Sequence, residues 1–327
     1  MHILLALLIA AAPTAVYTLL LWWLDRYEKE PLGLLFVAFI WGALPAILLA
    51  LVSELILALP LGQSPIGPDV ANIGIAPVIE EICKALAVVG LFIWARDEFD
   101  GPLDGIVYGA LIGFGFSMTE NAIYFAFTTD PGTLFWVRSV FFGANHALFT
   151  AVVGLALGLV RYHRSAVGQV AALAIGMIIA ITLHALHNLL VSRFDAPGLL
   201  ISWLVQSSGI LVILAVALLA WRNERRWLAE GLGDEVRAGL ISPAEYQTIL
   251  SSGRRLRQQG HALLTGGWGR VWQVRRLHHL LTELAFRNVQ ARLAPGPGPR
   301  ADADALRRRI AGLRAALLAD GMAWGEV

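Results

Sequence analysis

The sequence predicts an all-α protein: a polytopic membrane bundle of about seven transmembrane helices, followed by a small cytoplasmic helical region. Three observations predict it. Of 327 residues, 57% are hydrophobic and 15% charged, with a mean hydropathy of +0.66, whereas soluble domains carry about 25% charged residues. Seven apolar runs, near residues 3–24, 32–59, 72–95, 104–128, 133–160, 167–191 and 198–221, approach or exceed the roughly 20 residues a helix needs to cross a bilayer. Charge is unevenly divided. Residues 1–221 hold 8 Lys+Arg against 14 Asp+Glu, and residues 222–327 hold 17 against 10. The expected division is therefore a membrane domain at 1–221 and a basic cytoplasmic tail at 222–327.

The first run has no basic lead and no small-residue cleavage pattern, so it reads as a retained helix rather than a signal peptide. Trp22 and Trp23 end it as interfacial anchors, as Trp94 and Trp221 end later runs. The connector Asp25–Pro31 is dense in charge and reads as a solvated turn that Pro31 closes. Basic residues follow runs one, three, five and seven, including Lys29, Arg96, Arg161 and Arg222. Only Arg193 follows the even runs. That bias places the N-terminus outside and the tail in the cytoplasm. In the tail, Ser242-Pro243-Ala244-Glu245 is a capping-box start for a helix to about Gln259. Helical spacing returns from Trp268 to Leu293, Pro295–Pro299 interrupts it, and a last helix is expected at about Asp304–Leu318. The tail is expected against the anionic leaflet. No nucleic acid is expected, because no reading motif is present.

The third run is unlike the rest, for it carries Glu80, Glu81 and Lys84. Each charge near a membrane centre costs roughly 2.5–3.5 kcal/mol on insertion scales. Lys84 is i+4 from Glu80 and i+3 from Glu81, so it can pair with either. One acid is surplus to that bridge and is a candidate for function. Cys83 reads as a small packing residue, and a single cysteine excludes an internal disulfide. Later runs add Glu120-Asn121, Arg138, Asn145-His146 and His184-x-x-His187-Asn188. At about 1.5 Å rise per residue, these groups lie roughly 5–18 Å below the outer surface. Acids, imidazoles and a carboxamide from four helices thus share one slab. Taken singly, His146 equally suits helix-to-helix hydrogen bonding, His187 is a weaker candidate than His184 because one of two histidines i,i+3 apart usually only packs, and Asn121 and Asn145 suit interhelical packing. Arg138 reads as counter-ion to a carboxylate, and Asp104 as a helix cap. Glu54 sits near the outer end of its run, where it can reach water.

Peptide hydrolysis needs a base for water, a donor for the oxyanion and an acid for the leaving amine. Glutamates, imidazoles and Asn188 could supply these. Zinc, held among Glu80, Glu81, Glu120, His146 and His184, is an open alternative to a metal-free site. No HExxH or GxSxG motif is present.

Together, Glu80-Glu81-x-x-Lys84, Phe116-x-x-x-Glu120-Asn121, His146 and His184-x-x-x-Asn188 resemble the PrsW family of intramembrane proteases, related to the CAAX-prenyl-protease and bacteriocin-processing superfamily. The likeness covers about residues 20–195 and leaves the tail outside. It implies cleavage of a membrane-anchored protein, such as a regulatory protein of the anti-sigma type, in a bacterial cytoplasmic membrane. By that analogy Glu80 is the base with Glu81 beside it, and His184 and Asn188 hold the oxyanion. Lys84 replaces the arginine of the superfamily's first motif. Glu120 replaces the histidine of its second, so the water's imidazole partner is assigned to His146. A proton or divalent-metal transporter and a non-catalytic membrane scaffold are the rival readings. The transporter would need a polar path through the inner half of the bundle, and few polar groups are there.

Overall fold

A computed structural model describes residues 3–24, 30–58, 67–96, 98–163, 165–293 and 297–319. The described residues are almost wholly helical. They are α1 (Ile3–Leu24), α2 (Leu32–Trp41), α3 (Ile47–Ala58), α4 (Ala76–Trp94), α5 (Pro102–Phe127), α6 (Asn145–Leu159), α7 (Ala166–Arg193), α8 (Asp195–Arg237), α9 (Pro243–Ile249), α10 (Ser252–Leu293) and α11 (Pro297–Ala319). Among the described residues, six helical segments are long and apolar enough to cross a membrane; α4 is not counted because of its three charges. The expected seven spans are therefore six by length and composition, with the charged α4 beside them.

Several predicted runs are interrupted. A π-type turn, Gly42–Ala46, joins α2 to α3 around Pro45, which lacks the N–H that would continue the α ladder. Similar turns at Val70–Ile75 and Trp136–Phe141 precede α4 and α6. Asp25–Lys29 of the charged connector lies outside the described residues. Its neighbour Glu30 departs from the solvated expectation, being buried and accepting the Tyr108 hydroxyl. Asp104 does cap α5, accepting the N–H groups of Asp100 at 2.9 Å and Gly101 at 2.6 Å.

The described residues divide into two compact units, one running up to Ala220 and the other from Trp221 onward. In the first, α5 is central and packs against α1, α2, α4 and α6. Its neighbours come close because Gly105, Gly109 and Gly113 recur at i,i+4 along one face. A methyl group at Gly105 would meet the Gly154 carbonyl, and one at Gly113 would meet the carbonyl of His146. Gly113 thereby sets where His146 begins α6. We expect Gly113→Val to force α5 and α6 apart and destabilise the bundle by about 1–3 kcal/mol. Gly74→Ala, at a site with nothing within 4 Å, should leave the unfolding temperature in detergent unchanged; equal melting of both variants would count against this account. Outward faces carry exposed apolar side chains such as Leu8, Phe36, Leu48, Ile178 and Val212, which suit a lipid solvent.

The second unit has its own core, including Leu228, Leu232, Leu277, Leu281 and Ile310. The capping box at Ser242 forms, with Ser242 N–H to Glu245 at 2.6 Å and Glu245 N–H to Ser242 at 3.2 Å. The helix it starts ends at Ile249 rather than near Gln259, and α10 begins at Ser252. Gly267, at φ +65°, kinks α10 immediately before Trp268. α11 starts at Pro297 rather than Asp304, since proline is tolerated in a first helical turn. Glu235 is buried and bonded to Arg307 at 3.1 Å and Asn288 at 2.8 Å. On α10, Leu264, Trp268 and Trp272 are exposed. Residues 252–282 carry 6 arginines and no acid.

His278 lies buried between Gln258, which accepts its Nε2–H at 2.7 Å, and Gln259, which donates to Nδ1 at 3.4 Å. Burial, aided by the Arg255 charge, pushes its pKa down to about 3. The unfolded histidine titrates near 6.5, so the stability it contributes is complete above that pH. It is lost as pH falls toward the folded value, at a limiting slope of about 1.4 kcal/mol per unit. Hydrogen-exchange protection at Leu277–Leu284 should therefore fall between pH 6.5 and 5, and His278→Gln should flatten that slope. An unchanged slope would reject the assignment.

Candidate active site

The charges of α4 point inward because its apolar side faces out. Val78, Ile82 and Leu86, at i,i+4 spacing, are exposed, while Glu80, Glu81 and Lys84 are buried. Lys84 Nζ donates to Glu81 Oε1 at 2.7 Å and Glu80 Oε2 at 3.3 Å, so it serves both acids rather than one. It also lies 3.0 Å from His146 Nδ1 and 4.1 Å from the centroid of the Phe116 ring. Cys83 is buried, and its carbonyl accepts Trp41 Nε1–H at 3.0 Å.

These contacts set the histidine tautomers. An ammonium only donates, so His146 Nδ1 accepts and Nε2 carries the proton, given to Glu120 Oε2 at 2.9 Å. His184 Nδ1 lies 2.9 Å from Glu81 Oε1 and donates to it, which leaves Nε2 with a lone pair 3.9 Å from Glu80 Oε2. His146 Nδ1 is also 3.9 Å from that oxygen. The two imidazoles meet edge to face at 5.1 Å between centroids, and Phe149 stacks on His184 at 4.9 Å.

Glu120 stands behind His146. Its Oε2 also takes Arg138 at 2.6 Å, while Arg138 Nε donates to Asn121 Oδ1 at 2.8 Å and its guanidinium lies 3.9 Å from the centroid of the Tyr124 ring. Asn188 lines the same cavity, with one amide N–H given to the Asn72 carbonyl at 2.8 Å. Its second N–H remains for a ligand. His187 also lines the cavity and lies 2.7 Å from Ser202 Oγ and 3.4 Å from Asn145 Nδ2.

Donor atoms of Glu80, Glu81, His146 and His184 all lie within 4.8 Å of one another. Glu120 falls outside this group. The His184 Nε2 lone pair and the Glu80 and Glu81 carboxylates are donors of the kind that bind catalytic zinc, and His146 Nδ1 would join them once released by Lys84. Glu81 Oε2 is buried without a hydrogen-bond partner. On this chemistry the residues fit a divalent metal. The cavity beside them measures about 640 Å³, within the range of ligand pockets.

Sequence reasoning undervalued Glu54. Half-buried, it lines this cavity from α3 with Oε1 buried and unbonded. The available signal was its being an acid within a lipid-length apolar run.

The chain is 30% identical over 138 residues to Protease PrsW of Geobacillus kaustophilus, covering 42% of this chain and 59% of that protein. It is 27% identical over 134 residues to Protease PrsW of Oceanobacillus iheyensis, covering 39% and 60%. With Protease PrsW of Shouchella clausii it shares 26% over 208 residues, 61% of this chain and 92% of that one. The chain thus spans about 60% of the length of the first two relatives. No solved structure matches it. A family model described as PrsW family intramembrane metalloprotease matches residues 30–221, well over half of the chain, which therefore belongs to that family.

Proposed function

We propose that this multi-pass membrane protein is an intramembrane endopeptidase that hydrolyses a peptide bond of a membrane-anchored protein, for example a regulatory protein of the anti-sigma type. The observation that carries the reading is the convergence of Glu80, Glu81, His146 and His184, from three helices, on one buried point beside a cavity.

Glu80 Oε2 takes the proton of the attacking water and passes it to the leaving amine. His184 Nε2, 3.9 Å from that oxygen, positions the water by accepting its second hydrogen, while His146 Nδ1, equally far from the oxygen but engaged by Lys84, closes the other side of the site. Glu81 holds His184 in its tautomer through Nδ1, and Glu120 does the same for His146 through Nε2. The free amide hydrogen of Asn188 donates to the oxyanion. His184 joins it as a donor only once Nε2 is protonated. Lys84 and Arg138 balance the acids. Zinc, were it held by His184 and Glu81 with His146 joining once Lys84 releases its Nδ1, would supply Lewis acidity and bring a water's pKa near 7 while leaving Glu80 as the base.

We place the protein in a bacterial cytoplasmic membrane with its N-terminus outside and residues 222–327 in the cytoplasm. The exposed tryptophans and arginines of α10 support apposition of that tail to an anionic leaflet. The test is cleavage of membrane-anchored peptides by purified protein in lipid nanodiscs, with metal content measured. Turnover lost to a chelator and restored by zinc supports the metal form. Turnover indifferent to the chelator supports glutamate acting alone, and no turnover under any condition refutes the proposal.

A further inference from the structure

The cavity holds an acid that the hydrolytic mechanism does not use. Glu80 and Glu81 share Lys84, and Glu120 is paired with Arg138. Glu54 is different: among the described residues no Lys, Arg or His nitrogen lies within ion-pairing distance of it, and its Oε1 is buried with no hydrogen bond. A half-buried carboxylate with one oxygen shut off from water and unbonded is costly unless a partner arrives from outside. The surroundings say what shape that partner has. Around Glu54 the α3 wall is apolar, made by Ile47, Leu51 and Leu55. Such a wall suits an aliphatic stem ending in a cation, which is the build of lysine and arginine side chains.

We propose that Glu54 is a specificity-determining subsite that binds a lysine or arginine side chain of the substrate segment, next to the bond that is cleaved. Glu54 and Glu80 line one cavity, so the recognised residue lies close in sequence to the scissile bond. This rests on the peptidase reading for the word substrate, but the binding itself does not. Three imidazoles and three further acids share the region, and the Lys84 and Arg138 cations are already committed to Glu80, Glu81 and Glu120, so an incoming positive charge has Glu54 as its open partner. The same field of acids disfavours an acidic side chain there.

The experiment measures binding and cleavage separately, on full-length protein in nanodiscs. Fluorescent single-span peptides carry lysine, alanine or glutamate at one position, scanned across the membrane-entry segment. The wild type should bind the best lysine peptide roughly tenfold or more tightly than its alanine counterpart, and the glutamate peptide most weakly. Glu54→Gln should collapse the lysine-to-alanine ratio to near one, and Glu54→Lys should shift preference toward glutamate. Size-exclusion profiles identify any misfolded variant, and Glu54→Asp should retain the ratio in part. Where cleavage is seen, the same ratios should appear in KM more than in kcat. A lysine preference surviving in Glu54→Gln, no preference in the wild type, or binding of no peptide would each overturn the proposal. Glu54-dependent lysine binding without any cleavage would sink the peptidase reading and leave the subsite standing. A folded Glu54→Gln protein that binds lysine and alanine peptides as the wild type does but cleaves neither would make Glu54 catalytic, and would overturn the specificity role.

Discussion

Glu80→Gln is expected to lower cleavage of a membrane-anchored peptide by about 10²–10⁴-fold, the range that a positioned general base supplies. The side chain lies at the intersection of the site, with Oε2 3.3 Å from Lys84 Nζ and 3.9 Å from the inward nitrogens of both His146 and His184. Glutamine keeps the volume and can still accept the lysine's hydrogen bond through its carbonyl. It cannot take a proton from water, and it is a poorer metal ligand. Folding and insertion should therefore survive while turnover fails. Thermal unfolding in detergent separates the two outcomes. Undiminished cleavage by a folded Glu80→Gln protein would remove Glu80 from the role of base and leave Glu81 as the remaining acid of the pair.

The largest stability effect is expected at Lys84. Its side chain and that of Glu81 are 0% exposed and 2.7 Å apart, and Lys84 also holds Glu80 and contacts His146. Removing one member of a buried pair leaves the other charge stranded, at a cost of about 3–5 kcal/mol. Lys84→Met keeps the length and removes the charge, so with chelator present it should melt well below the wild type. Glu81→Gln with Lys84→Met should recover much of the loss, because no stranded carboxylate remains. If Lys84→Met melts like the wild type, the pair does not hold the site together. Zinc is expected to rescue the single variant more than the double one, since Glu81 there regains a cation.

Much of this protein could be read without coordinates, because lipid imposes strict rules on sequence. A membrane helix must be apolar over a set length, so most of the bundle's helices are visible as runs, from α1 to the first part of α8. Charges inside such runs are expensive, so Glu80, Glu81, Lys84, Glu120 and the histidines identify themselves. Local rules also worked in the polar segments. Asp104 caps α5 and Ser242 with Glu245 starts α9, since both depend on contacts three or four residues away. Local rules misplaced the end of α9 and the start of α11, where packing of the second unit's own core overrides helical periodicity.

Sequence by itself determined which groups had to be accounted for: ionisable side chains in lipid-length helices, spaced so that Lys84 reaches two acids one turn away. Only tertiary structure decided who meets whom. The glycine stripe of α5 brings α6 within backbone contact and sets His146 between Lys84 and Glu120, and α7 delivers His184 to Glu81 across 103 residues of chain. Glu54 was visible as a charge, but its unsatisfied oxygen and its place beside Glu80 are properties of a cavity. The physical reason is range. Helix spacing constrains neighbours within a turn or two, whereas a buried charge finds its partner through interhelical packing that no single helix encodes.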